Sequence, residues 1–348
     1  MLSIGNVTIE HPFIQAALSG YSDLPMRRIA RRHGASYTLN EVVLDRSVTH
    51  KSKWQRKLLS MADDDHPVAA QLMGADPVDF GPAAILLADA GYDVIDINFG
   101  CPVKKVLGRC RGGFHLSQPQ IALEIVARVI DAVGDRRPVS VKMRRGLDDT
   151  LDSERNFFAI LDGAFELGVA AIAVHGRTVH QRYVGPSKWD FLKRVKAHVG
   201  DKTIFGSGDL FTAEACIAMM NETGVDGVTI ARGAIGNPWI FGECLELAAG
   251  RPMPPPPSVA EQGRTILEHF EECVAVHGEE VAGRIMRKHG IKYGRLHPHP
   301  KKLRESFVAV TTPAEFRAVV AEWYDPNRDW PPVVRRSQHD DMIAAGAA

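Results

Sequence analysis

The sequence lacks long hydrophobic runs, evidence of paired cysteines and an excess of charge of either sign. No stretch approaches about 18 consecutive apolar residues, so we expect no membrane-spanning helix. The N-terminus does not have the charged and then apolar order of a signal peptide. The five cysteines are odd in number and scattered, which argues against a disulfide framework. We therefore expect a cytoplasmic protein.

Positive and negative side chains balance, with 42 Lys and Arg against 42 Asp and Glu. A net charge of zero does not describe how the charges are distributed, and their local distribution matters here. The chain has 348 residues, of which 45% are hydrophobic. This length and composition indicate one large globular domain with a full core, accompanied by a smaller domain.

Eight short apolar segments recur between residues 13 and 231, with helix-like segments between them. Most are apolar throughout, which is typical of parallel strands buried on both faces. The alternation predicts an α/β fold, a (β/α)8 TIM barrel, with an open doubly wound sheet as the alternative. The predicted strands are Phe13–Ala17, Ser36–Asn40, Val68–Met73, Val94–Asn98, Val139–Met143, Ala170–His175, Thr203–Gly206 and Gly227–Ala231.

The composition changes after the predicted barrel, which we assign to residues 1–250. Residues 251–257 contain five prolines and predict a stiff linker, because proline lacks an amide donor. Helical spacing then predicts a small all-helical domain over 258–330, followed by a flexible tail over 331–348. Its predicted helices are Val259–Val276, Glu279–Tyr293, Lys301–Val308 and Pro313–Trp323.

Polar or glycine residues follow all eight predicted strands, where TIM-barrel enzymes place their reactive groups. Glycines after strands seven and eight, next to Arg232, could form a phosphate cradle or two tight turns. Lys142 would point into the mouth of the barrel and needs an anionic partner there, such as a reduced flavin ring or a phosphate.

Cys101 lies between Gly100 and Pro102 at the end of strand four, where a thiol would face the pocket rather than the core. Cys110 follows in a loop that we expect to cover the pocket. Cys101, Cys110 and His115 do not match a zinc-ligand spacing, so we predict no metal site. The remaining cysteines lie in helical patterns and are interpreted as core residues; these are Cys216, Cys244 and Cys273.

A basic segment runs from residue 284 to residue 304 without an acidic residue. In a chain of zero net charge, such a segment predicts a surface for phosphate backbones. It contains Arg284, Arg287, Lys288, Lys292, Arg295, Lys301, Lys302 and Arg304. We expect two further groups to extend it, namely Arg27, Arg28, Arg31 and Arg32 on the first helix, and Lys104, Lys105, Arg109 and Arg111 after strand four.

These residues together resemble the tRNA-dihydrouridine synthases, specifically the bacterial B-type branch. The motif after strand four reads Asn98-Phe99-Gly100-Cys101-Pro102-Val103-Lys104-Lys105-Val106. The resemblance extends over about residues 10 to 325. Further matching segments are Gln71–Gly74, Val141–Arg144, His175–Thr178, the run from Gln181 to Trp189, and Gly233–Trp239.

The resemblance implies an FMN-binding barrel and a helical RNA-binding domain. It implies a monomer that reduces a specific uridine of tRNA, in the D loop, to 5,6-dihydrouridine with NADPH as reductant. Cys101 would be the proton donor. FMN would contact Ala17, Leu18, Ser19, Gln71, Lys142, His175, Ser207, Gly208, Asp209, Ala231 and Arg232. We expect substrate contacts from Asn98, Lys104, Arg144 and Arg177, and RNA contacts from Arg284, Arg287, Lys288, Lys292, Arg295, Lys301 and Lys302.

One stretch departs from the family pattern in a way that bears on function. Residues 111–116 read Arg-Gly-Gly-Phe-His-Leu, where the family has an Ala-Gly-Ser-Ala-Leu-Leu type of sequence, and we expect this stretch to influence the choice of RNA site. Two other functions use the same scaffold. One is a flavin ene-reductase or dihydroorotate-type dehydrogenase acting on small molecules, and the other is a non-catalytic RNA-binding protein.

Overall fold

Eight parallel strands form a closed barrel in the computed structural model, which describes residues 2–52, 55, 58, 59 and 61–335. The ring closes because Tyr37–Leu39 pairs with Phe13–Gln15 on one side and with Val68–Met73 on the other. This arrangement confirms the predicted TIM barrel and excludes the open sheet. The barrel strands are β3 (Phe13–Gln15), β4 (Tyr37–Leu39), β6 (Val68–Met73), β7 (Val94–Phe99), β8 (Val139–Arg144), β9 (Ala171–His175), β10 (Thr203–Ser207) and β11 (Gly227–Ile230).

Three short strands lie outside the ring and were not predicted from the sequence. Strands β1 (Leu2–Ile4) and β2 (Val7–Ile9) form an antiparallel hairpin, and β5 (Val43–Leu44) pairs with the end of β6. The hairpin buries Ile4 and Ile9 against inward-facing barrel residues such as Tyr37 and Phe205. The hairpin therefore contributes to the core inside the barrel, and the cavity described below opens at the carboxyl ends of the strands.

Helices cover the outside of the barrel and bury their apolar faces against the strands. Several begin at a capping side chain, as when Thr150 accepts a hydrogen bond from the amide of Ser153. They are α1 (Leu24–Arg32), α2 (Asp45–Thr49), α3 (Pro77–Asp89), α4 (Lys104–Leu107), α5 (Pro119–Val133), α6 (Leu151–Glu166), α7 (Trp189–Val199), α8 (Ala213–Thr223) and α9 (Ile240–Ala248). A 3-10 helix, Gly112–Ser117, follows α4.

Four helices after the proline-rich segment have a hydrophobic core of their own, which includes Phe270, Phe307 and Phe316. They are α10 (Val259–His277), α11 (Glu279–Tyr293), α12 (Pro300–Ala309) and α13 (Pro313–Trp323), as the helical spacing predicts. Most of the predicted tail, residues 336–348, lies outside the described residues. Within the described ranges, no helix has both the length and the apolar character that a membrane crossing requires.

The helical domain contacts the barrel along helix α1. Glu272 on α10 accepts hydrogen bonds from Arg28 and Arg32 of α1, and His277 donates to Asp23 at 2.8 Å. Trp239, at the start of α9, lies edge-on to Tyr293 of α11, with 6.3 Å between ring centroids. We call this contact region the domain seam.

Candidate active site

A cavity of about 420 Å³ opens at the carboxyl ends of the barrel strands. Its wall includes Cys101 and every flavin contact that the resemblance implies. From that set the cavity is lined by Ala17, Leu18, Ser19, Gln71, Lys142, His175, Ser207, Gly208, Asp209, Ala231 and Arg232. It also contacts Asn98, Arg144 and Lys292 of the predicted substrate and RNA residues. The structure therefore brings together residues from seven strand ends, and Lys292 adds a cation from the helical domain.

The turn that carries Cys101 is held by the side chain of Asn98. The Asn98 Oδ1 atom accepts hydrogen bonds from the amides of Gly100 and Cys101, both at 3.0 Å. Its Nδ2 atom donates to Gln71 Oε1 at 2.6 Å. Asn98 is buried, and its polar groups are hydrogen-bonded within the protein. Its side chain therefore holds the shape of the turn.

Asp96, which the sequence analysis did not select, lies beneath this turn. Its carboxylate accepts hydrogen bonds from Gln71 Nε2 at 2.7 Å and from the Ser140 hydroxyl at 2.5 Å. Burial raises the pKa of Asp96, while these two hydrogen bonds oppose that shift. An acidic residue within the apolar strand Val94-Ile95-Asp96-Ile97 was the available sequence signal, because an unpaired buried carboxylate is costly.

Lys142 projects its ammonium group into the same buried region. The Nζ atom is buried and has no hydrogen-bond partner within the described part of the chain. Burial lowers the pKa of Lys142 to about 8, while the charge of Asp96 opposes this shift. A buried ammonium with no hydrogen bond is costly, so an anionic or hydrogen-bonding ligand in the cavity would relieve that cost.

Burial raises the pKa of the Cys101 thiol, and the charge of Arg144 acts in the opposite direction. The thiol therefore keeps its proton at neutral pH. A protonated thiol facing a cavity beside an arginine can donate that proton, and the arginine would then stabilise the thiolate.

The 3-10 helix Gly112–Ser117 packs behind Cys101. The amide of Gly113 donates to the Cys101 carbonyl at 3.1 Å. Gly112 has φ +58°, and a Cβ atom there would lie 2.8 Å from Cys101 Cβ, so only glycine fits. The His115 ring is buried and donates to the Gly74 carbonyl at 3.0 Å. Because most of residues 112–116 are buried, this divergent stretch packs against the Cys101 turn from behind.

His175 lies at the end of β9, the strand next to the one that carries Lys142, and its ring is in the neutral form. Burial, together with the surrounding cations, lowers the pKa of His175 well below its usual value. Its Nδ1 atom accepts a hydrogen bond from the amide of Arg177 at 3.1 Å, so the proton of the neutral ring is on Nε2. His175 can therefore offer a neutral hydrogen-bond donor to a bound ligand.

Arg144 and Arg177, predicted to contact substrate, are both buried and engaged with other parts of the protein. Arg144 donates to the backbone carbonyls of Gly100, Thr178 and Arg182. Arg177 forms a two-point ion pair with Asp209, at 2.8 and 2.7 Å. Both arginines therefore position the loops around the cavity, and Asp209 belongs to that framework.

The cavity has aromatic neighbours that the sequence analysis did not single out. Tyr183 and Phe211 lie on either side of Arg232, whose guanidinium carbon is 4.4 Å from the Tyr183 ring centre and 5.0 Å from that of Phe211. Tyr21 lines the cavity from the loop after β3. The three aromatic residues lie far apart in the sequence, so only the fold brings their rings together at the cavity.

The basic segment 284–304 lies on α11, α12 and the turn between them. Arg284, Arg287, Lys301, Lys302 and Arg304 are exposed, whereas Lys288, Lys292 and Arg295 are half-buried. Lys288 donates to the Gly20 carbonyl of the barrel. Lys104 is also exposed, on α4. We call the exposed residues of this segment, together with Lys292 at the cavity wall, the basic face.

The four arginines of α1 do not extend the basic face. Arg27 and Arg31 pair with Asp65, Arg28 pairs with Asp64 and Glu272, and Arg32 pairs with Glu272. The expectation that these arginines extend the basic segment is wrong, because their charges are matched by carboxylates that lie far away in the sequence.

A family model described as dihydrouridine synthase matches residues 14–325 of the chain. A probable tRNA-dihydrouridine synthase from Rickettsia conorii is 33% identical over 325 residues, covering 93% of this chain and 96% of that protein. A tRNA-dihydrouridine synthase B from Xanthomonas campestris is 32% identical over 324 residues, with 93% and 96% covered. A probable tRNA-dihydrouridine synthase from Mycobacterium tuberculosis is 33% identical, with 89% and 82% covered.

Two solved structures share the barrel fold at low sequence identity. Histamine dehydrogenase from Rhizobium superposes with a TM-score of 0.54 at 14% identity, covering 78% of this chain and 50% of that one. A 2-naphthoyl-CoA reductase complex gives a TM-score of 0.57 at 10% identity, covering 72% and 52%. The chain spans about half the length of these two proteins, and the likeness concerns the fold alone.

Proposed function

Because the chain belongs to the dihydrouridine synthase family, we propose that it reduces a specific uridine of tRNA to 5,6-dihydrouridine with FMN as cofactor. NADPH is the proposed reductant, the D loop the proposed location of the uridine, and the cytoplasm the proposed compartment. One observation carries the proposal: Cys101, Lys142 and Lys292 line a single cavity at the mouth of the barrel. An acid, a buried cation and an edge of the basic face are thus available to one bound nucleotide.

The residues of the cavity fit a flavin. Lys142 Nζ lacks a hydrogen-bond partner among the described residues, and a polar flavin edge would provide one. The His175 Nε2 proton and Arg232 offer further donors at the cavity wall. We assign the FMN contacts to Lys142, Gln71, His175 and Arg232, with Ala17, Leu18, Ser19, Ser207, Gly208, Asp209 and Ala231 forming the remaining wall. Reduced FMN would supply a hydride to C6 of the uracil.

Cys101 would supply the proton to C5 of the uracil. Its raised pKa keeps the thiol protonated before the reaction. The Cys101 amide donates to Asn98 Oδ1 and the Gly113 amide donates to the Cys101 carbonyl, and these two hydrogen bonds fix the direction of the Cys101 side chain. Arg144, which donates to the neighbouring Gly100 carbonyl at 3.0 Å, adds positive charge beside the thiolate that remains.

The helical domain would hold the RNA around the target base. A uridine must leave its stack to enter a cavity at the end of a barrel, so the enzyme needs to bind the flanking backbone. The exposed cations of the basic face provide phosphate contacts. Lys292 links that face to the cavity, which supports an approach of tRNA across α11.

The role of Cys101 is tested by comparing Cys101→Ala with Cys110→Ala. Cys110 is exposed in the following loop and is the matched control. On unmodified tRNA with NADPH, we expect Cys101→Ala to keep its flavin absorbance and to lose about 100-fold or more of its dihydrouridine formation. The Cys110→Ala variant should retain its activity. Equal rates in the two variants would remove Cys101 from the mechanism.

The substrate is tested by mapping dihydrouridine in total RNA after deletion of the gene. Loss of the modification at a single tRNA position would identify the uridine, and reintroduction of the wild-type gene should restore it. Unchanged dihydrouridine at every position, together with turnover of free pyrimidines or enones by the purified protein, would favour the small-molecule reductase instead.

A further inference from the structure

Two histidines and an aspartate meet at the domain seam, away from the residues assigned to catalysis. Asp23 lies at the start of α1, His269 on α10 and His289 on α11. One potential ligand atom from each of the three lies within 4.8 Å of the other two. The cluster therefore joins the barrel to two helices of the second domain at one point.

The two imidazoles have unused polar atoms in a buried environment. His269 and His289 are each 1% exposed. Among the residues that the structure describes, neither ring nitrogen of His289 has a hydrogen-bond partner, and the same holds for Nε2 of His269. Buried polar groups in folded proteins are almost always satisfied, so three such atoms next to a carboxylate are suited to bind a ligand.

The neighbouring side chains are arranged as the outer partners of a metal site would be. His277 donates to Asp23 Oδ2 at 2.8 Å, and Tyr293 lies 3.1 Å from Nδ1 of His269. With Nδ1 bonded to Tyr293, His269 is left with Nε2 as its free atom. Metal-bound histidines commonly use the second ring nitrogen in this way, which fixes the orientation of the ring.

We propose that Asp23, His269 and His289 bind a divalent first-row transition metal ion of the Zn²⁺ class. Two imidazole nitrogens and one carboxylate oxygen are a donor set that such ions accept. Ligands of a tetrahedral zinc ion at ~2.1 Å lie about 3.4 Å apart. The three ligand atoms lie within 4.8 Å of one another, so their separations must shorten by up to about 1.4 Å around the ion.

The bound ion would connect the domain seam to the cavity. Tyr21, which lines the cavity, packs edge-on against His289 with 5.2 Å between ring centroids. Asp23 is two residues further along the same loop. Fixing Asp23 and His289 on one ion would hold this loop against the helical domain. The site is independent of the proposed uridine reduction, and it departs from the expectation of no metal drawn from the sequence.

Equilibrium dialysis of the purified full-length protein with Zn²⁺, after treatment with a chelator, tests the site. We expect one ion per chain in the wild type and at least a tenfold weaker affinity in His289→Asn and in Asp23→Asn. The matched control is His198→Asn, because His198 is an exposed histidine that pairs with Asp162 on the outside of the barrel. The control should bind one ion as the wild type does.

Two measurements on the unaltered protein cover the case in which a variant fails to fold. Co²⁺ should give visible absorption bands of a four-coordinate site with nitrogen ligands. Anomalous diffraction at the zinc edge should place a peak between the three side chains. No uptake by the wild type, uptake that is equal in His289→Asn, or a peak elsewhere on the surface would each overturn the proposal. Because these readouts need no tRNA, they are independent of the outcome for uridine reduction.

Discussion

Two regions of the molecule use basic residues in opposite ways. On α1, each of the arginines Arg27, Arg28, Arg31 and Arg32 is paired with a carboxylate. The segment 284–304 contains no acidic residue, and Lys142 in the cavity has no hydrogen-bond partner in the region that the structure describes. Both regions are rich in basic residues in the sequence. The difference teaches that a cluster of cations indicates a binding surface only when the fold brings no carboxylates to it.

The largest effect on stability is expected at Arg27, the buried arginine among the paired residues of α1. Arg27 is 4% exposed, and its guanidinium donates to Asp65 at 2.8 and 2.5 Å and to Asn40 at 2.9 Å. In Arg27→Met, the buried Asp65 loses its main partner. Breaking a buried pair from one side costs about 3–5 kcal/mol, so we expect the free energy of unfolding in urea to fall by that amount.

The double variant Arg27→Met, Asp65→Asn is the control for that experiment. Removing the unpaired charge should restore part of the lost stability, while Asn keeps an acceptor for Arg31. A decrease of less than about 1 kcal/mol in the single variant would mean that the buried pair contributes no more than an exposed one.

The fold could be predicted from the sequence because its signals are local. Apolar segments such as Val68–Met73 and Val139–Arg144 form barrel strands close to the predicted bounds. The β1–β2 hairpin was missed, because three-residue strands give too short an alternation to distinguish from a loop. Its place in the core depends on contacts with Tyr37 and Phe205, which no local pattern reveals.

The position of the site could be predicted from the sequence, but the contacts that each residue makes there could be predicted less well. Strand-end location placed Cys101, Lys142 and His175 at one cavity. It did not reveal that Arg144 would hold backbone carbonyls or that Arg177 would pair with Asp209, because those partners lie on other loops. In the same way, Arg32 and its partner Glu272 are 240 residues apart.

Lys142→Met tests the unpaired cation in the cavity. The pKa of Lys142 is about 8 in the folded protein and 10.5 in its ordinary state. Below pH 8 the lysine is charged in both the folded and the unfolded protein, so the full cost of burying the ammonium destabilises the folded state. Between pH 8 and 10.5 the folded state loses its proton first, and the cost shrinks. We therefore expect the flavin-free variant to be more stable than the wild type at pH 7, by on the order of 2 kcal/mol.

The difference in free energy of unfolding between Lys142→Met and the wild type should decrease as the pH rises towards 10. Urea unfolding at several pH values measures this difference. The same variant should purify with less bound flavin, because it cannot offer the ammonium to the ligand. A flavin-free variant that is less stable than the wild type at pH 7 would show that Asp96 already compensates the buried charge.

Reversal of charge on the basic face should weaken tRNA binding about tenfold. The double variant Lys301→Glu, Lys302→Glu changes two exposed residues of α12. The slope of log affinity against log salt should become shallower, because fewer counterions are released from the RNA. Lys193→Glu, Lys202→Glu makes the same change of charge at exposed positions of the barrel and should bind as the wild type does. Equal losses in both variants would mean that only net charge matters.

The smallest effect is expected for Arg32→Gln, which changes the exposed arginine at the end of α1. The Arg32 side chain is 46% exposed, and its partner Glu272 keeps a second hydrogen bond, from Arg28 at 2.9 Å. An exposed pair contributes about 0–1 kcal/mol, so the free energy of unfolding should change by less than that. Affinity for tRNA should not change, because this charge is already matched. If Arg32→Gln weakened tRNA binding as much as the charge reversal on α12 does, helix α1 would belong to the RNA surface despite its ion pairs.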